Sequence, residues 1–362
     1  MRLMIAGGGT GGHLYPGIAV ARELLARMPD AQVTFVGTAQ GIEARVLPRE
    51  GLTLDLIRSA GLKGQSAWRI LRGTSLLPLS ALDAWRVISR RRPDVVIGLG
   101  GYSSAPVVLL AALRGIPTMV LEQNAVPGFS NRRLAPVVAA AAVTYEESLP
   151  FFGAKAFVSG NPVRSGFFEE AHVDRFSPPG AARVLVFGGS QGAHAINVAM
   201  VEAAPRLAAA PGRVALTHQT GERDLAMVRD EYRRAGLQAR VEPFLYDMDR
   251  EVNAADLVVA RAGATTLAEL AAAGTAAILV PLPTAADDHQ RRNAEAFVRQ
   301  GAAVMVEQKA LTGERLADEL LALAGDRDRR RRLAAAARRL ARPDAAKRIV
   351  DRALELGPKP GA

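Results

Sequence analysis

Two short stretches carry the residues best suited to chemistry: Gly7–His13 (GGGTGGH) and Gly188–His194 (GGSQGAH), set 181 residues apart. Each follows an apolar run, and each ends on a histidine that opens an amphipathic segment. Glycines let the backbone come close to a ligand, and the free N–H groups of a helix's first turn point at an anion. A strand, a tight turn and a helix start in that order suit phosphate. The positive end of the helix dipole favours the neutral, basic form of an imidazole there. His13 is therefore a candidate base. Glu122 is a candidate to orient it or to act as the base itself, and the plainer alternative is that His13 only caps its own loop.

Two further polar loops are Gly98–Ser104 (GLGGYSS) and Glu122–Asn131 (EQNAVPGFSN). In the second half, Ser190 can hold a phosphate through its hydroxyl or serve as an ordinary helix cap. Arg261–Glu269 (RAGATTLAE) offers the small residues Gly263, Ala264, Thr265 and Thr266 for close backbone approach to an anion, and Glu269 for ribose or sugar hydroxyls. Pro281–Asn293 (PLPTAADDHQRRN) places Asp288, His289, Gln290 and Asn293 before another helix. The lone pair Asp287–Asp288 reads as a charge complement to that helix, so no protein-held metal is expected. The chain has no cysteine, which excludes disulfides, thiolate catalysis and cysteine-held zinc or iron–sulfur centres.

These residues need strands to carry them. Apolar runs at Leu3–Ala6, Val33–Val36, Val95–Ile97 and Thr118–Leu121 alternate with helical segments, among them Ile18–Leu25, and predict βαβ units on a parallel sheet. Val184–Phe187, Ala215–His218, Leu257–Ala260 and Ala277–Val280 predict a second such sheet, with a helix at Ile196–Leu207. At 362 residues there is room for two α/β domains, and Ser159–Arg164 (SGNPVR) followed by Phe176–Gly180 (FSPPG) places the boundary there. Ligands of such sheets bind beyond the carboxyl ends of the strands. Gly7, Gly9 and Gly12 satisfy G-x-G-x-x-G, but the second strand ends Val36-Gly37-Thr38 with no acid for a ribose, and Glu43 lies too far on. A nicotinamide cofactor is thereby disfavoured.

The formal charge of +10 raises nucleic acid as a partner, yet no aromatic-interleaved basic motif and no helix-turn-helix appears, so none is expected. The opening MRLMIAGGG enters a strand without a signal peptide, and glycines, serines and a proline break the longest uncharged run, Val95–Leu113. A cytoplasmic address is expected. In Ser66–Arg92, Trp68, Ile70, Leu76, Leu77 and Leu79 read as a loop-borne apolar patch ringed by arginines, suited to an anionic membrane, while Leu82 and Trp85 are assigned to packing on the sheet.

The loops GGGTGGH, GLGGYSS, EQNAVPG, GNPVR, GGSQGAH, RAGATTLAELAAAG and DDHQRRNA, in that order over nearly the whole chain, resemble the MurG family of bacterial peptidoglycan glycosyltransferases. The resemblance implies a GT-B fold, two Rossmann-like domains whose parallel sheets face a central cleft. The domains would be 1–164, joined by a returning C-terminal helix at about 342–362 (roughly Asp344–Leu356), and 165–341. It further implies inverting transfer of N-acetylglucosamine from UDP-N-acetylglucosamine to the C4 hydroxyl of undecaprenyl-pyrophosphoryl-N-acetylmuramoyl-pentapeptide (lipid I), giving lipid II, at the cytoplasmic face of the membrane and without a cofactor. By that resemblance Ser190 and the Gly263–Leu267 turn, with Thr265 and Thr266, would meet the diphosphate, and Arg164 would lie near it. Glu269 would hold the ribose, Gln290 the sugar hydroxyls, and Phe244 and Leu245 the uracil. Thr10, Gly11, Gly12 and Asn124 would complete the donor's sugar end, with Gly101, Tyr102 and Asn131 on the acceptor side. Thr265 departs from the leucine common in that family. The rival readings are a hydrolysing UDP-N-acetylglucosamine 2-epimerase, a nicotinamide dehydrogenase, and a silent UDP-sugar-binding protein.

Overall fold

The computed structural model describes residues 1–59, 77–169, 180–189, 192–285 and 288–358. The chain forms two compact units, Met1–Arg164 with Arg342–Ala362, and Ser165–Ala341. Each is built on a wholly parallel sheet.

In the first unit the strands are β1 (Arg2–Ala6), β2 (Gln32–Gly37), β3 (Thr53–Leu56), β4 (Val95–Gly98), β5 (Thr118–Glu122), β6 (Ala140–Val143) and β7 (Ala156–Val158), in the order β3-β2-β1-β4-β5-β6-β7. Side chains alternate across the sheet, so each central strand feeds two cores. Leu3, Ile5, Val95 and Ile97 pack with Leu14, Ile18 and Leu24 of the helix Gly11–Arg27. Met4, Ala6 and Val96 pack on the opposite face with Ala84, Val87 and Ile88 of the helix Leu77–Arg91 and with Val107 and Val108 of the helix Ser104–Leu113. The returning helix Ala345–Leu356 buries Ile349, Val350 and Ala353 in the first of these cores. Burying Ile349 and Val350 contributes about 3–6 kcal/mol. Arg27 Nη1 reaches Asp351 at 2.5 Å, and Arg348 Nη1 donates to the Val158 carbonyl at 2.7 Å, which fixes the direction of approach.

In the second unit β8 (Ala182–Phe187), β9 (Val214–Gln219), β10 (Ala239–Glu242), β11 (Leu257–Ala260), β12 (Ala276–Leu279) and β13 (Val304–Met305) run in the order β10-β9-β8-β11-β12-β13. Val184, Val186, Val259 and Ile278 pack with Ile196, Met200 and Ala203 of the helix His194–Ala208, and with Leu316 and Leu320 of the helix Gly313–Gly325. Both sheets therefore reverse their strand order once, between β1 and β4 and between β8 and β11. The two glycine-rich loops follow β1 and β8, so each lies at such a switch point, where α/β sheets bind ligands.

One assignment is overturned. Leu82 and Trp85 do not pack on the sheet: they are 43% and 50% exposed, and the Arg114 guanidinium lies 4.6 Å from the Trp85 ring centroid. The sheet took the stripe Ala84, Val87 and Ile88 of the same helix instead. Trp68, Ile70 and Leu76, and the side chain of Leu77, lie outside the described residues, while Leu79 is 38% exposed. Arg90 and Arg91 both pair with Asp55, each at 2.7 Å.

Candidate active site

Three loops of the first unit converge on His13. Its ring nitrogen Nδ1 lies 3.0 Å from the Thr10 hydroxyl, and its backbone N–H donates to the Thr10 carbonyl at 3.3 Å. A Cβ placed on Gly100, whose φ is +89°, would lie 3.4 Å from His13 Nε2 and 3.6 Å from Asn131 Nδ2. A glycine at that position therefore keeps room for the imidazole as well as adopting a backbone that other residues avoid. Gly101 continues this loop, and Tyr102 beside it is exposed. Thr10 and Gly12 are exposed and His13 is half-buried, so solvent reaches the imidazole's surroundings.

Glu122, at the end of β5, is buried, and its two oxygens accept four hydrogen bonds from its own loop. Oε1 takes the Asn124 N–H at 3.0 Å and the Asn124 amide at 3.2 Å, and Oε2 takes the Gly128 N–H at 3.0 Å and the Asn131 amide at 2.9 Å. Burial pushes its pKa up, against these four bonds, which favour the carboxylate. Such a carboxylate holds the loop's shape. Asn131 also donates to the Leu121 carbonyl at 2.8 Å, which ties the loop back to the strand. Arg164 ends the unit with its guanidinium 4.5 Å from the Tyr15 ring centroid.

The first glycine-rich loop differs from a phosphate cradle in one respect. The Glu43 carboxylate, carried by the short helix Glu43–Arg49, accepts the Gly9 N–H at 2.7 Å, the Thr38 N–H at 2.8 Å and the Thr38 hydroxyl at 3.1 Å. Glu43 is thus no ribose ligand, and the loop already faces an anion.

In the second unit Ser190 lies outside the described residues. What frames its loop is clear. Gln219, fully buried at the end of β9, donates to the Gly189 carbonyl at 2.9 Å and accepts the Leu245 N–H at 2.8 Å. One side chain that the sequence did not single out thereby fixes the glycine loop relative to the segment Phe244–Leu245.

The helix Ala264–Ala273 opens at Gly263, directly after β11, with Thr265 and Glu269 buried one turn apart and Thr266 half-buried. The Leu267 side chain is wholly buried in the core, so only its backbone is available to a ligand. Arg261, one residue past β11, is a second residue missed at the sequence level. It donates to the Val280 carbonyl at 3.1 Å, the Pro281 carbonyl at 3.2 Å and the Gln308 amide oxygen at 2.7 Å. All three of these acceptors are neutral, and burial lowers its pKa. A buried cation next to a helix N-terminus makes this corner electropositive. The Gln290 amide oxygen accepts the Leu282 N–H at 3.0 Å. Asp288 pairs with Arg291 at 2.6 Å, and among the described residues no group of three His, Asp or Glu side chains could hold a metal ion.

Behind the second glycine loop a buried chain of polar groups anchors the helix His194–Ala208. Asn197 donates to the Thr220 carbonyl and to Asp224, both at 2.9 Å, so its amide oxygen, 3.1 Å from His218 Nε2, must accept. His218 is then the Nε2–H tautomer, with Nδ1 accepting the Tyr232 hydroxyl at 2.8 Å. Asp224 faces His194 Nδ1 at 2.9 Å. Burial opposes its charge, but the bonds from His194 and Asn197 hold its carboxyl below the ordinary value.

Burial lowers His218 from 6.5 to about 3. Between those values the unfolded chain gains a proton at this position and the folded unit does not, so stability falls as pH drops below 6.5, by up to about 1.4 kcal/mol per pH unit. Urea unfolding at pH 7 and pH 5 is expected to show a loss of about 2 kcal/mol from this residue. A folded His218→Gln protein is expected to show a correspondingly flatter pH dependence, and an equally steep one would assign the loss elsewhere.

Residues 3–143 match the glycosyltransferase family 28 N-terminal domain, and residues 183–349 match the family 28 C-terminal domain. A protein of Anaeromyxobacter sp. (strain K) is 50% identical over 357 residues, 98% of this chain and 93% of that protein. Its name is UDP-N-acetylglucosamine--N-acetylmuramyl-(pentapeptide) pyrophosphoryl-undecaprenol N-acetylglucosamine transferase. The crystal structure of Acinetobacter baumannii MurG is similar at a TM-score of 0.74 with 32% identity, over 98% of this chain and 99% of that one. A UDP-GlcNAc 2-epimerase from Neisseria meningitidis, solved with UDP-GlcNAc bound, reaches a TM-score of 0.68 at 14% identity, over 98% of this chain and 100% of that one. That second structural likeness shows a common fold and nothing more.

Proposed function

We propose that this chain, which belongs to glycosyltransferase family 28 and within it to the MurG enzymes, transfers N-acetylglucosamine from UDP-N-acetylglucosamine to the C4 hydroxyl of lipid I, giving lipid II. The observation that carries this reading is the 50% identity, over 98% of the chain, to a protein named for that reaction. The second unit supplies the donor site. Glu269 takes the ribose hydroxyls, Gln290 the sugar, and the segment at Leu245 the uracil. The backbone of Gly263–Leu267, with Thr265, Thr266 and Ser190, takes the diphosphate, and Arg164 approaches the same group.

UDP leaves with growing negative charge, and the helix N-terminus at Ala264 with the buried Arg261 beside it offers fixed positive charge to receive it. The first unit supplies the base. As base, His13 would carry its proton on Nδ1, donated to the Thr10 hydroxyl 3.0 Å away, and take the attacking hydroxyl's proton on Nε2, and inversion follows from a single displacement. Glu122 acts through its loop, holding Asn124 and Asn131 in place. Thr10, Gly11 and Gly12 complete the donor's sugar end, and Gly101 and Tyr102 border the acceptor. A coupled assay for UDP separates the rivals. Release that requires a short-chain lipid I analogue is expected, whereas release from UDP-N-acetylglucosamine alone would identify a hydrolysing epimerase, and no release a silent binder.

The acceptor is lipid-linked, and among the described residues no helix is long and apolar enough to cross a membrane. We propose that the exposed face of Leu79, Leu82 and Trp85, continued by Leu109 and Leu113 of the neighbouring helix and flanked by Arg86 and Arg114, rests on an anionic bilayer at its cytoplasmic side. Trp68, Ile70, Leu76 and Leu77 extend the same patch in sequence. Replacing Leu82 and Trp85 together by aspartate is expected to lower flotation with anionic vesicles by roughly tenfold or more, at unchanged UDP affinity. Undiminished flotation would refute this face.

A further inference from the structure

The first glycine-rich loop, with positive φ at Gly7, Gly8 and Gly9, already holds a carboxylate against its backbone. Glu43 is almost wholly buried, 34 residues along the chain from the Gly9 N–H that it accepts. A Cβ on Gly8 would stand 2.5 Å from its carboxyl carbon, and one on Gly37 2.5 Å from its Cγ, while Gly41 passes closer still. Three glycines from two segments, the loop after β1 and the end of β2 with the connection after it, thus make room for one carboxylate, and donors from Gly9 and Thr38 converge on it. Two residues beyond Gly9 begins the helix that carries His13, with the Thr10 hydroxyl on its ring.

We propose that Glu43 is a positioning residue that serves as the loop's resident anion. Its carboxylate occupies the place a phosphate would take, sets the path from Gly7 to Thr10, and so aims His13. A consequence is that neither the nucleotide's nor the acceptor's phosphates bind in this cradle. The nucleotide's phosphates must use donors elsewhere, such as the backbone N–H groups of the helix that starts at Ala264. The inference rests on the transferase reading given above.

Glu43→Ala empties the seat, and acetate has the size and charge of the group removed. In the folded variant, turnover is expected to fall roughly ten- to hundredfold, as for a displaced catalytic group, at unchanged affinity for UDP. Sodium acetate is expected to restore most of it, and sodium chloride at equal ionic strength none. With glycine-selective 15N labelling, acetate should also return the Gly9 amide resonance towards its wild-type position. Wild-type turnover in Glu43→Ala, or a Gly9 resonance and turnover indifferent to acetate, would overturn the proposal. If Glu43→Ala does not fold, Glu43→Gln decides, with lowered turnover at unchanged affinity for UDP expected and full turnover contradicting it. A wild-type protein that transfers no sugar would sink the transferase reading, and the acetate-dependent Gly9 resonance would still decide for or against Glu43.

Discussion

Replacing His13 by alanine is expected to lower turnover by roughly 10²–10⁴-fold, the usual span for a positioned general base. Affinity for UDP should stay within about twofold, because a base works on the acceptor's proton and the groups assigned to the uracil and ribose, at Leu245 and Glu269, lie in the other unit. Isothermal titration with UDP and steady-state kinetics on the same preparation separate the two quantities. Thr10→Val should show a smaller loss, since it removes the hydroxyl partner of Nδ1 while the imidazole remains. Normal turnover in His13→Ala would take the base role from His13 and reopen the case for Glu122. Glu122→Gln is expected to behave differently from both. It sets an amide NH2 against two of the four donors and so lowers thermal stability together with activity.

The second large effect concerns the ribose. Glu269 is buried, one turn after Thr265 on the helix that opens at Gly263. A hydrogen bond to a charged acceptor contributes about 1.5–3 kcal/mol, so Glu269→Ala should weaken UDP binding by roughly ten- to hundredfold. The wild-type protein should lose a similar factor when offered a 2′,3′-dideoxy nucleotide, and Glu269→Ala should lose little more on that change. Independent, multiplying losses would show that Glu269 and the ribose hydroxyls do not meet.

The fold was legible where strands are buried on both faces. β1, β2, β4, β5, β8, β11 and β12 read as largely apolar runs because both faces of these strands are covered. β6 is AAAV, which looks helical by composition, and β13 has only two residues, too short for any pattern. β3 and β10 carry Asp55 and Arg240 within four-residue strands, so their apolar runs are interrupted. The helix Leu77–Arg91 shows a different limit. It has apolar stripes on two sides, and spacing alone does not say which one the sheet takes; the smaller Ala84, Val87 and Ile88 fit against it and left Leu82 and Trp85 outside.

At the site, the glycine loops, His13 and Glu122 were visible as local motifs at strand ends. The side chains that hold those loops were not, because each works across a long sequence gap. Glu43 reaches Gly9, Gln219 joins Gly189 to Leu245, and Arg261 reaches Val280, Pro281 and Gln308. No periodicity records such closures. The glycines that give Glu43 its room are in plain view at positions 8, 37 and 41, but only the fold shows that they surround one carboxylate.

The most direct test of the account follows radiolabelled sugar from UDP-N-acetylglucosamine into a short-chain lipid I analogue, with the nucleotide product measured in the same tube. The account predicts label in a lipid-linked disaccharide, one UDP for each sugar transferred, and a β linkage to the acceptor's C4 oxygen. Intact UDP-sugar binding with no label in the acceptor would contradict it.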